Sequence, residues 1–239
     1  MSSIDNGEVR DSRRYRGQDR SQRRAARRRR LLDVGLQTFG TSEYASSSIE
    51  RLCADAGVTI RSFYEEFDSR EALLAAVYDE TALMVQESVF KTMTSVGTDL
   101  AERVETTLRA FIHATLADPR RGRVLCLTSM AVSDAMEQRR RAMLHTFAAA
   151  VDREVGALVE VGTPAYLQQS HLVVCGLIGA SNALVVEYLT ASRPPGPDAL
   201  LQAMKELWLA VIAVVAPPHA LPSLAGVGEG PGAAHQVNA

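Results

Sequence analysis

Apolar residues recur along this chain at three- and four-residue steps almost from end to end, the period of helices with one buried face. Leu31, Leu32, Gly35, Leu36 and Phe39 form one such stripe, in a helix that the pattern starts near Ser21. After a loop from Gly40 to Ala45, Ser47 or Ser48 suits the N-cap of a short helix burying Ile49, Leu52, Cys53 and Ala56. Gly57 supplies the left-handed conformation that ends it, and Thr59 caps a third helix burying Val58, Phe63 and Phe67. Asp68 or Ser69 opens a fourth, with Leu73, Leu74, Val77, Leu83 or Met84, and Phe90 spaced for burial. Leu100, Val104, Leu108, Phe111, Ile112 and Thr115 mark the next, ended by Asp118-Pro119, and a shorter segment follows near Val124 to Met130. Met136, Met143, Leu144, Phe147, Val151, Val155 and Leu158 mark a long helix ended by Gly162. Thr163-Pro164 then caps a helix running to about Ala191; Pro194 to Pro197 breaks it, and Asp198 to Val215 forms the last. No period-two run is long enough for a sheet. The expected fold is all-α, with about nine helices.

The flanks lack this periodicity. Residues 1–19 read as a flexible basic arm, 20–68 as a small three-helix domain and 69–216 as a larger helical one. Residues 217–239, rich in Gly, Ala and Pro, read as a disordered tail. The net charge of −2 argues by itself against a polyanion partner, but it hides a segregation. Ten arginines lie between Ser12 and Arg30 with Asp19 as the one acid, and the remaining chain is acidic. A basic end on an acidic body favours contact with a polyanion at that end.

Two helices are too apolar for a monomer surface. Between Ala165 and Ser192 the one charged residue is Glu187, and Leu200, Leu201, Met204, Leu207, Trp208, Val211, Ile212 and Val215 make the last helix broadly apolar as well. A second copy packed across a two-fold axis would cover them, with Leu172, Ile178, Leu184, Tyr188, Met204, Trp208 and Val211 as the interface. Cys53, Cys126 and Cys175 are odd in number, widely spaced and in apolar context, which fits reduced thiols. The N-terminus has no apolar signal region, and the run Leu172–Val186 is too short to span a bilayer. The expectation is a cytoplasmic protein with no membrane partner.

The segment Ser48–Phe67 carries the strongest chemistry. Helix, tight glycine turn and short second helix is the layout of a helix-turn-helix, whose second helix enters the DNA major groove. LLDVGLQTF (31–39), Tyr44, Ser47-Ser48-Ile49, Leu52-Cys53, Ala56-Gly57-Val58, Thr59, Ser62, Phe63-Tyr64, Phe67, Ser69-Arg70-Glu71 and Leu73-Leu74 follow without gaps. Together they resemble the N-terminal domain of the tetracycline-repressor (TetR/AcrR) family of bacterial transcription regulators. Departures are Glu43, where a glycine is usual, Arg70 for the common lysine and Arg61 for a frequent glycine.

The resemblance implies a DNA-binding head over 20–68. Thr59, Ile60, Arg61 and Ser62 would face base edges, and Tyr64 would touch a phosphate. Ser47, Ser48 and Arg70 would clamp phosphates at helix N-termini, with Arg27 and Arg28 from the basic run beside them. It also implies a homodimer on a near-palindromic DNA operator and a small-molecule effector in the larger domain. An apolar effector site is expected at Met84, Phe111, Thr115, Leu127, Met130, Phe147 and Cys175. The expected function is a ligand-responsive regulator, most simply a repressor. The rivals are an activator, or a binding module of the same fold that does not bind an operator.

Other clusters carry less. Arg120, Arg121 and Arg123, and Arg139, Arg140 and Arg141, read as solvated helix ends and faces. His113, His145 and His171, with Cys126, lack ligand spacing, so no metal site is expected. No nucleophile–base arrangement, phosphate loop or paired carboxylate is evident: no enzyme and no cofactor are expected.

Overall fold

The computed structural model describes residues 8–41, 44–93, 99–130, 132–159 and 164–215, and the side chains among them except those of 8–19, 154–170 and 214–215. Nine α-helices follow in these stretches: α1 (Glu8–Phe39), α2 (Ile49–Ala56), α3 (Ile60–Tyr64), α4 (Arg70–Met93), α5 (Leu100–Leu116), α6 (Pro119–Cys126), α7 (Asp134–Val159), α8 (Pro164–Thr190) and α9 (Pro197–Val215). A 3-10 turn, Thr128–Met130, separates α6 from α7. No strand occurs among the described residues, and the fold is all-α.

The local signals account for most helix ends. Ser48 caps α2 by accepting the Arg51 amide, and Gly57 closes it at φ 60°, ψ 42°. Thr59, Asp99 and Asp118 cap α3, α5 and α6 through their side-chain oxygens. The first helix departs from expectation, since α1 begins at Glu8 rather than near Ser21. Residues 8–30 lack an apolar stripe, but arginine and glutamine are good helix formers and no proline interrupts them. Propensity alone extends the helix into the segment expected as an arm. Likewise α6 starts at Pro119, where proline suits the first helical turn, so the Asp118-Pro119 stop is also a start. Residues 1–7, Ser42 and Glu43, Gly162 and Thr163, and the tail from Pro217 lie outside the described residues.

One core joins the first four helices: Leu31, Phe39, Leu52, Phe63, Leu73, Leu74 and Val77, with Val124 of α6 and Met136 of α7 packed in. The boundary drawn at residue 68 therefore cuts through a shared core. The remaining body buries Val104, Leu108 and Ile112 of α5 against Leu201, Met204 and Ile212 of α9, and Ala148 and Val151 of α7 against Val174 and Ile178 of α8. On α4 the buried face continues through Tyr78, Ala82, Val85 and Val89, while Leu83 is exposed. The stretch His171–Thr190 has the length and composition to cross a membrane, contrary to the shorter run expected. In this fold it packs against α6, α7 and α9, burying Val174, Ser181 and Val185.

Candidate nucleic-acid interface

The short α3 is presented by its neighbours rather than held by its own length. Phe63 is fully buried and meets Phe67 at 5.9 Å, so that face is anchored. The opposite face is bare: Ile60 is 45% and Tyr64 53% exposed, and the Arg61 side chain is 91% exposed. Its large side chains are thus open to solvent. Tyr64 is steadied edge-on against Phe63 at 5.6 Å. Arg61 has Glu65 one turn away at 3.6 Å, a weak exposed pair that a phosphate or base can replace.

Several residues expected on DNA are used inside the head. The Thr59 hydroxyl accepts the Ser62 amide at 3.1 Å and donates to the Ser62 hydroxyl at 3.0 Å, so its first task is the cap. Ser47 is buried and its hydroxyl donates to the Tyr44 carbonyl at 2.8 Å. Arg70 does not face outward as a clamp. Its guanidinium donates to the Ser47 carbonyl and lies 4.5 Å over the Tyr44 ring, which fixes the loop before α2. Arg27 is half-buried and pairs with Glu66 at 2.9 Å and Glu65 at 3.1 Å. Arg28 stacks 4.5 Å over Phe67, with its charge still exposed. Ser48 is exposed at the start of α2. The outward set is thus Ile60, Arg61 and Tyr64, with the exposed caps Ser48 and Thr59 and with Arg28 at the edge. Arg27 turns inward because the carboxylates of Glu65 and Glu66, just past α3, lie within its reach.

Behind the head an apolar pocket opens between five helices. Val89 and Met93 of α4, Arg103, Val104, Thr107 and Phe111 of α5, Phe147 and Val151 of α7, Ile178 and Ser181 of α8, and Trp208 and Ile212 of α9 line it. Its empty space, mouth included, is about 750 Å³. Of the residues expected to line an effector site, Phe111 and Phe147 do so. Met130 is exposed, Thr115 is fully buried in the core, and Met84, Leu127 and Cys175 lie off the pocket wall. The polar features are few. Trp208 Nε1 donates to Ser181 Oγ at 3.0 Å, and Arg103 donates to the Met93 carbonyl at 2.8 Å while its Nε is buried without a partner.

Part of the surface expected between two copies is used inside the protomer. Met204 and Ile178 are buried within the protomer, so they serve its own core; Trp208, half-buried, lines the pocket. Facing outward on α8 are Leu172 (69% exposed), Gly176, Gly179, Ala183, Glu187 and Thr190, and on α9 Gln202, Ala203, Glu206, Ala210 and Ala213 among others.

Most arginine clusters are internal ties: Arg120 to Asp118 and Gln37, Arg123 to the Leu189 carbonyl at 3.2 Å, Arg139 to Asp79, and Arg140 and Arg141 to Glu137.

An all-α body thus sits behind a helix-turn-helix whose outer face is bare. Residues 31–77 match the family model of the bacterial regulatory proteins of the tetR family. Over that stretch the chain resembles the family's N-terminal helix-turn-helix domain, and its fold is TetR-like. Similar solved structures include the fatty acid degradation regulator FadR from Bacillus halodurans (16% identity, 77% of this chain and 94% of that one, TM-score 0.65). A putative tetR-family regulator from Mesorhizobium loti (21%, 80% and 98%, TM-score 0.64) is another. So is FadR from Bacillus subtilis, solved in complex with stearoyl-CoA (14%, 74% and 95%, TM-score 0.63). No curated protein sequence matches the chain.

Proposed function

We propose that this protein is a homodimeric transcriptional repressor that leaves its operator when a largely apolar small molecule enters the pocket. One observation carries the reading: α4 belongs to both sites. Its first turns place Leu73, Leu74 and Val77 in the core of the head, and its last turns place Val89 and Met93 in the pocket wall. A ligand that displaces the end of this helix must also move the head.

In this reading residues 20–68, completed by the start of α4, read DNA in the bacterial cytoplasm, and the body binds effector and partner without enzymatic activity. The open faces of α8 and α9, rich in small residues, allow close helix approach across a two-fold axis. Two heads would then dock in successive major grooves about 34–36 Å apart. Arginines on the first turns of α1 supply non-specific phosphate attraction. The pocket's apolar wall and the spare Arg103 N–H fit an effector with a long hydrocarbon body and one acidic or carbonyl group. The stearoyl-CoA bound to the Bacillus subtilis relative is an example of that class.

The direct test is a footprint on the DNA flanking the protein's own gene, repeated with a long-chain acyl-CoA titrated in. A two-fold footprint lost on titration supports the reading. Intact dimer giving no footprint at low salt overturns operator binding, and a footprint indifferent to acyl compounds overturns the effector class.

A further inference from the structure

Away from the head and off the pocket wall, three side chains converge that the linear sequence keeps apart. His145 lies on α7; His171 and Cys175 lie one turn apart on α8. His145 Nδ1 is 3.2 Å from His171 Nε2, and Cys175 Sγ is 3.7 Å from each of them. The ring centroids are 5.4 Å apart, so the two imidazoles meet nitrogen to nitrogen rather than face to face, with the sulfur beside both nitrogens. These are the spacings of neighbouring corners in a tetrahedral metal shell. With bonds of about 2.0–2.1 Å to nitrogen and 2.3 Å to sulfur, tetrahedral angles put N···N near 3.3 Å and S···N near 3.6 Å.

We propose that His145, His171 and Cys175 bind one divalent zinc-class ion per protomer, stapling α7 to α8. Two imidazoles and a thiolate form a donor set of borderline softness, which selects zinc or cobalt over magnesium or calcium. No fourth His, Cys, Asp or Glu atom joins the three among the described residues, so water completes the shell. His145 is exposed and Cys175 half-buried, which gives the ion a route in and the thiolate a partly dry seat. The other two cysteines cannot substitute. Cys53 lies in the core of the head, and Cys126 is buried against Asn182 with its thiol pushed up to about 12 by burial. The staple joins helices that line the pocket through Phe147 and Ile178, so metal would stiffen two of its walls. The proposal does not depend on DNA binding or on the effector.

The test uses the full-length protein, reduced and stripped with chelator, titrated with cobalt(II) and followed by absorption spectroscopy. One equivalent should produce a thiolate-to-cobalt charge-transfer band and the intense visible bands of tetrahedral cobalt, and zinc should bleach both. Cys175→Ser should lose the charge-transfer band, while Cys53→Ser and Cys126→Ser keep it. His145→Gln and His171→Gln should lose the tetrahedral pattern, with unchanged far-UV circular dichroism showing that each variant folds. Zinc should raise the wild-type melting temperature and leave that of Cys175→Ser unmoved. No charge-transfer band in the wild type, or a band that survives in Cys175→Ser, overturns the site; the triad is then a hydrogen-bonded histidine pair beside a thiol.

Discussion

Arg27 Nη2 lies 2.9 Å from Glu66 Oε1, across 39 residues of sequence, and that carboxylate side chain is 1% exposed. Arg24 reaches the same carboxylate at 3.2 Å, so two arginines of α1 close over the turn that follows α3. The pair orients α3 on α1, and with it the bare face that carries Arg61 and Tyr64.

Glu66→Gln should therefore loosen the head. Charged hydrogen bonds of this kind are worth about 1.5–3 kcal/mol each, so the melting temperature should fall by several degrees at neutral pH. Burial alone would push the Glu66 carboxyl up, but hydrogen bonds from Arg27 and Arg24 prevail and hold it below its ordinary value. The folded state then binds fewer protons than the unfolded one across that window. The contribution is complete above the ordinary glutamate range, about 4.3, and fades as pH falls through the folded value. Melting both proteins at pH 7 and near pH 3 checks the sign: the gap should narrow in acid. A gap that widened would place the stabilising charge elsewhere.

Arg61→Ala and Tyr64→Ala should separate reading from folding. Both side chains are more than half exposed, so stability should change by less than about 0.5 kcal/mol. Loss of a bidentate arginine–guanine contact costs about 1–3 kcal/mol and relaxes specificity at one base pair, whereas loss of a phosphate contact weakens all sequences alike. Quantitative gel shifts on a wild-type operator and a mutated one would distinguish the two roles. Unchanged binding by both variants would move the interface off α3.

Gly40 marks the junction between head and body. A Cβ there would sit 2.8 Å from Arg120 Cα and closer still to its Cβ, against the start of α6. Thr128 also donates to the Phe39 carbonyl at 2.7 Å, so the end of α1 is held from two sides. Gly40→Ala must push α1 away from α6, and the expected result is weaker operator binding with dimer and effector affinity retained. Binding equal to wild type would show that this contact transmits nothing.

Much of this was legible in advance where short-range chemistry decides. Ser48, Gly57 and Thr59 act through their own backbone neighbours, and the structure has all three in the expected roles. The α1 start was missed because residues 8–20 are helical by propensity alone, with no apolar stripe to announce them. Arg27, Ser47 and Arg70 were expected on DNA but turn inward, because their partners Glu66 and Tyr44 are set by tertiary packing. The convergence of His145, His171 and Cys175 was likewise invisible: it depends on the register between α7 and α8, which sequence spacing does not encode.

Arg103 tests the effector class. Its buried Nε lacks a partner at the wall of an apolar pocket, a cost the protein carries without a ligand. Arg103→Met keeps the length of the side chain and removes the charge. Apo stability should hold or rise slightly, because the unpaired group is gone, while affinity for an acidic acyl ligand should drop at least about tenfold, the loss of roughly one charged hydrogen bond. Calorimetric titration with an acyl-CoA and with its uncharged alcohol compares the two. Equal weakening toward both would mean that Arg103 shapes the wall and does not recognise the polar group.

Gly176 and Gly179 offer the sharpest test of the proposed dimer, since a Cβ added at either would meet nothing within 4 Å beyond its own helix among the described residues. Glutamate is compatible with a helix interior, so Gly176→Glu should fold as well as the wild type or better. Across a two-fold axis the same substitution sets one new carboxylate close to its symmetry mate, on a face that also carries Leu172, Gly179 and Ala183 and, toward the end of α8, Glu187. Burying two unpaired like charges costs several kcal/mol, enough to dissociate a dimer of ordinary affinity. Light scattering coupled to size exclusion should report a monomer with wild-type helicity. Operator binding should then fall further than in the Arg61 variant, because a lone head loses the second half-site altogether. A dimer that persists in Gly176→Glu would move the two-fold axis off this face of α8.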